Sequence, residues 1–100
     1  MAAKILMRWD VRPETESEYF EFLVHELIPG LNKIGISDIH VWYTQYGDCE
    51  QKLASGVAND MQKMQDALTS QTWEQLNEKL QEFVENFSQK VISATGGFQV

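Results

Sequence analysis

The sequence predicts a single α+β domain whose elements follow in the order strand, helix, strand, strand, helix, strand. Two observations carry this: apolar and polar residues alternate near the N-terminus and again near residue 40, and an amphipathic helical stretch follows each strand region. A third sets the scale. With 100 residues and 43% hydrophobic content, the chain can build one core and not two, so residues 1–100 are read as one domain.

Lys4 to Val11 reads KILMRWDV, with Ile5, Met7, Trp9 and Val11 on one face and Leu6, Arg8 and Asp10 on the other. The more apolar set belongs under helices, which leaves Arg8 on the opposite face. In the following RPETESEYFEF, Thr15 and Glu18 form a capping box and acids crowd the first turn, so a helix runs to about Ile28. Its stripe of Phe20, Leu23, Val24, Leu27 and Leu31 faces the core, and Pro29-Gly30 ends it. Ser37 to Tyr46 alternates Ile39, Val41 and Tyr43 with His40, Trp42, Thr44 and Tyr46. Gly47-Asp48-Cys49-Glu50 is a hairpin turn, and Gln51 to Ala58 returns as the antiparallel partner.

Asn59 or Asp60 caps a short helix bearing Met61, Met64, Ala67 and Leu68. Thr69 to Thr72 interrupts it, because these residues bind backbone in turns. Thr72 with Gln75 then starts a longer helix with a stripe of Trp73, Leu76, Leu80, Phe83, Val84 and Phe87. Lys90 to Thr95 is β-branched enough for a fourth strand, and Gly96-Gly97 makes a bend after it.

This order is the ferredoxin-like βαββαβ arrangement, in which both helices, the second one broken, cover one face of a four-stranded antiparallel sheet. The other face must be polar, covered or shared. On that face His40, Trp42, Thr44 and Tyr46 combine large apolar bodies with polar tips, a composition suited to a ligand pocket or a subunit interface, and Arg8 shares the face. A homodimer through that face is the expected assembly.

Charge narrows the partners. Eight Lys and Arg against 15 Asp and Glu give a net charge of −7, which repels phosphate backbones and anionic lipid, so neither nucleic acid nor membrane is expected. The lone Cys49 excludes an intrachain disulfide, and no stretch has signal-peptide or membrane-span character; a cytoplasmic location is the expectation.

His40, beside Trp42 and Tyr46, is the best candidate for a general base, since imidazole titrates near neutral pH. Tyr46 is a second catalytic candidate, and Arg8, Trp42 and Tyr46 are candidate ligand contacts. His25 lies one helical turn after Glu21, but two such groups without an HExxH or Cys and His cluster give no metal site. Acidic Asp48 and Glu50 weaken Cys49 as a nucleophile.

The element order, the second helix broken at TSQTW and the VISATGGFQV ending together make the chain resemble the dimeric α/β-barrel superfamily, which includes antibiotic-biosynthesis-type monooxygenases. That resemblance implies two subunits packed sheet to sheet, with a cleft between sheet and helices. It implies a small aromatic or quinone-like molecule, bound or oxidised without any cofactor by a monooxygenase-like or isomerase-like protein. The haem-degrading pattern does not transfer, because the first strand, Lys4 to Val11, has no asparagine. The alternative is a non-catalytic dimerisation or ligand-sensing module, with the aromatic sheet face used only as the subunit interface.

Overall fold

The computed structural model describes residues 2–46 and 49–94, apart from the side chains of residues 44–46, 49–51 and 94. Strands β1 (Ala2–Val11), β2 (Ser37–Tyr46), β3 (Cys49–Ala58) and β4 (Val84–Ala94) form one sheet in the order β2-β3-β1-β4. Every pairing is antiparallel. This is the α+β ferredoxin-like sheet that the sequence predicts, although Gly47, Asp48 and the Gly96-Gly97 bend lie outside the described residues.

The alternation in β1 decides the faces. Ala3, Ile5, Met7 and Trp9 are buried, whereas Arg8 is exposed on the other side. Register then assigns the neighbours: Met7 pairs with Ala54, Ala54 with Val41, and Lys52 lies between Trp9 and Tyr43. Those residues face the helices. Trp42, Leu53 and Arg8 form a row on the open face, and His40, Ser55 and Leu6 form the next.

The first crossover departs from expectation. Helix α1 (Glu16–Phe22) continues through a π-helical turn at Leu23–Leu27 into α2 (Ile28–Lys33), so Pro29-Gly30 does not end it. Proline has no N–H, and its ring crowds the carbonyl four residues back. The ladder adapts by widening: the Ile28 N–H donates to the Leu23 carbonyl, five residues earlier. Gly30 serves packing instead, because a Cβ there would stand 2.6 Å from Leu76 Cδ1. The real stop is Gly35 at φ 97°, where the Ile36 N–H returns 3.0 Å to the Leu31 carbonyl.

The buried face of this crossover also shifts. Tyr19, Phe22, Leu23, Leu27 and Leu31 are buried, while Phe20 and Val24, expected in the core stripe, are exposed. Thr15 does not cap the helix; its hydroxyl donates to the carbonyls of Arg12 and Phe83. Asp60 caps α3 (Met61–Leu68) by accepting from the Lys63 N–H, as expected, but Met61 is exposed while Met64 and Ala67 are buried.

Helix α4 (Gln71–Leu80) is capped by Ser70, whose hydroxyl accepts from the Trp73 N–H, rather than by Thr72. It ends at Leu80, and Phe83, Val84 and Phe87 leave the expected helical stripe for the turn and β4, which starts well before Lys90. Tertiary pairing overrides local periodicity here. Val84 pairs with Val11, Arg12 N–H donates 2.8 Å to the Phe83 carbonyl, and the Phe87 ring stacks 6.1 Å from Trp9. Asn86, at φ 57°, donates to Asp10 Oδ2 where the β1–β4 register shifts.

Candidate functional site

A cleft opens at the β2 edge of the sheet, where α1 leaves part of the helix-facing surface uncovered. Tyr19, Phe20 and Leu23 form its helical wall; Val41, Tyr43 and Lys52 form its floor, and Trp42 adjoins them in β2. Its volume is about 250 Å³. Helical spacing puts Tyr19 and Leu23 one turn apart on the same side, and strand alternation puts Val41 and Tyr43 on the other wall.

The inner wall is rigid and polar at one point. Trp9 Nε1–H donates a 3.0 Å hydrogen bond to the Tyr19 hydroxyl, both rings are fully buried, and they meet edge to face at 6.3 Å. Burial pushes the Tyr19 phenol up to about 12, against the smaller lowering effect of the Trp9 bond. The phenol therefore stays neutral throughout the physiological range. The floor carries a cation: Lys52 is 8% exposed, and its Nζ lies 4.6 Å from the Tyr43 ring centre and 5.9 Å from that of Phe20. Chemically the cleft offers apolar contact, stacking surfaces and one ammonium.

The site residues singled out in the sequence fall elsewhere. Arg8 borders a shallow groove of about 270 Å³ on the open face, with Leu6, Leu53, Ser88 and Lys90. His40 is on that face too, its side chain 67% exposed and its Nε2 3.1 Å from Asp38 Oδ1. Trp42 stands 44% exposed beside Leu53. The structure brings Arg8 and Trp42 into one cross-strand row and His40 into the next, but Arg8 and His40 lie across the sheet from the cleft. Tyr46 pairs in backbone with Cys49, and its side chain lies outside the described residues.

His25 is exposed in a groove with Glu18, Glu21 and Glu26, where Lys79 Nζ reaches Glu26 at 2.8 Å. Among the described residues, no group of three or more His, Cys, Asp and Glu is placed to hold a metal ion. None of the described helices is long and apolar enough to cross a membrane.

Sequence reasoning missed Tyr19, Phe20 and Lys52. Phe20 falls in the stripe that helical spacing assigns to the core. One signal was available: Lys52 falls at the position that alternation assigns to the buried face, in step with Ala54 and Gly56.

No family model and no curated protein matches this chain. Solved structures do. SnoaB, a cofactor-independent oxygenase from Streptomyces nogalater, aligns with TM-score 0.76 at 13% identity, covering 93% of this chain and 92% of its own. Rv0793 from Mycobacterium tuberculosis aligns with TM-score 0.75 at 11% identity, covering 99% and 100%. A NIPSNAP family protein from Agrobacterium tumefaciens gives TM-score 0.70 at 14% identity, covering 97% and 96%. At such identities the likeness is one of fold. The fold of this chain is therefore the ferredoxin-like one that these solved structures share.

Proposed function

We propose that this chain is a small homodimeric protein that binds, and in the presence of dioxygen oxidises, a small aromatic or quinone-like molecule in the cleft between α1 and the β2–β3 edge. The observation that carries this reading is the cleft itself, an apolar recess of about 250 Å³ lined by Tyr19, Phe20 and Tyr43 with one ammonium in its floor. Concave, mostly apolar sites with few polar groups are the usual ligand sites of small domains. The fold likeness to a cofactor-independent oxygenase supports the same class.

Titration of the protein with 1,4-naphthoquinone by calorimetry tests it. Phe20→Ala with Tyr43→Ala removes two half-exposed walls without touching the core, and affinity should fall roughly tenfold. Unchanged affinity would refute the cleft. Dioxygen uptake with a dihydroxynaphthalene, above the spontaneous rate, separates an enzyme from a binder.

The second reading, a dimerisation module without catalysis, draws on the open face. Leu6, Leu53 and Trp42 lie there with none of the described helices over them, as sheet-to-sheet packing of two copies requires. Sedimentation of Trp42→Ala should show monomers. A native dimer that takes up no naphthoquinone would favour this reading over the first.

A further inference from the structure

Charge is sorted along the open face of the sheet. Lys4, Leu6, Arg8 and Asp10 alternate onto it from β1, and register brings Lys90 beside Leu6, Ser88 beside Arg8 and Glu85 opposite Asp10 from β4. The Lys4 to Arg8 stretch is therefore basic, holding with Lys90 three of the chain's eight Lys and Arg, and the Asp10 end is acidic. Neither end is at ease within one subunit. Asp10 and Glu85 are like charges directly opposite in register, and Lys90 stands diagonal to both Lys4 and Arg8, close enough for long side chains to repel. Among the described residues, none of Lys4, Arg8, Lys90 and Glu85 enters an ion pair.

We infer that two copies of this chain pack open face to open face about a two-fold axis running across the strands near the Arg8 row, so that the basic stretch of each lies over the acidic end of the other. The inference rests on reading this face as the subunit interface. A two-fold interface must be self-complementary, since every contact occurs twice with the roles exchanged. An axis along the strands lays like end on like end and adds repulsion, whereas an axis across them reverses one copy. Lys90 then stands over Glu85 of the partner subunit, and Arg8 reaches Asp10 of the partner subunit one row along. Trp42 and Leu53, which share the Arg8 row, meet their own counterparts and supply the apolar centre. With a net charge of −7 on each copy, long-range repulsion opposes association, and these local contacts of opposite sign set the orientation.

Sedimentation of charge-reversed variants tests the axis. Lys90→Glu and Glu85→Lys each set like charges against one another twice per dimer, and each should self-associate about tenfold more weakly than the native chain. Mixed in equal amounts, the two should recover the native affinity, because their heterodimer carries two pairs of opposite sign. Lys63→Glu and Glu74→Lys, the same reversals at exposed positions of α3 and α4, should show neither the loss nor the recovery. A native dimer whose Lys90 and Glu85 variants associate as it does, or whose mixture fails to recover, overturns the axis while leaving the dimer. A monomeric native chain overturns the dimer and the axis together. Lys90 and Glu85 are both exposed, and the chain carrying both reversals should dimerise as the native one does. Loss of its dimer overturns the axis even if a single reversal misfolds.

Discussion

On the helix side of the sheet, Ile5, Met7 and Trp9 are packed into a core beside which a cleft opens at the β2 edge. On the other side, Leu6, Leu53 and Trp42 stand among Arg8, Lys90 and His40 with none of the described helices above them. The same four strands supply both surfaces. Alternation makes neighbours in the chain inhabit different environments, so Trp9 serves as a fixed wall while Arg8, one residue away, meets solvent or a partner. Chemistry-bearing residue types are concentrated on the open face; the enclosed space is on the other.

The comparison breaks most visibly at Trp9. Trp9→Ala should destabilise the fold by about 3–5 kcal/mol, because it empties a fully buried site and strips Tyr19 and Phe87 of a ring partner. Trp42→Ala on the open face should change the stability of a single subunit by less than about 1 kcal/mol. Urea unfolding of both variants, each at a fixed protein concentration, measures the difference.

Next in size is Tyr19→Phe, which leaves the Trp9 indole N–H buried and unpaired at a cost of about 1–3 kcal/mol. The same residue sets a pH dependence. Its folded value is raised to about 12 from an ordinary 10.0, so above pH 10 the unfolded chain gives up a proton that the folded one keeps. That stabilising contribution is complete below pH 10 and is lost as pH rises toward 12. Thermal unfolding should therefore weaken over that interval in the native protein, and less in Tyr19→Phe.

Gly30→Ala tests the close approach of α2 to α4. The added methyl meets a Leu76 methyl at 2.6 Å, and the expected destabilisation is about 1–3 kcal/mol unless Leu76 turns away. The smallest effect belongs to His40→Ala: an exposed imidazole paired only with exposed Asp38 should change stability by less than about 0.5 kcal/mol. It should also leave binding in the cleft unchanged, since His40 is on the other face. A large loss of naphthoquinone affinity in His40→Ala would move the ligand to the open face.

The sheet was legible because strand alternation is local: KILMRWDV carries its two faces in its own spelling, and β2 does the same. The boundary between α4 and β4 was not. Phe83, Val84 and Phe87 fit a helical stripe equally well, and the decision comes from Arg12, Val11 and Trp9, more than 70 residues away in sequence for each pair. Pro29-Gly30 misled for a related reason. A proline is a stop signal only if the preceding turn cannot widen, and the packing of Gly30 on Leu76 favours the continued helix. For the site, the sequence showed which face of β2 carries His40 and Trp42, but a cleft is a gap between elements. No single segment contains its two walls.

The Trp9–Tyr19 bond gives the protein a built-in optical and magnetic reporter. Of the three tryptophans, Trp42 is on the open face, Trp73 is in α4, and Trp9 alone among them bonds to a residue of the cleft wall. Anything that enters against Tyr19 will disturb the electron density on its oxygen and, through it, the indole proton of Trp9. A single resonance in a proton spectrum can then follow occupancy of the cleft.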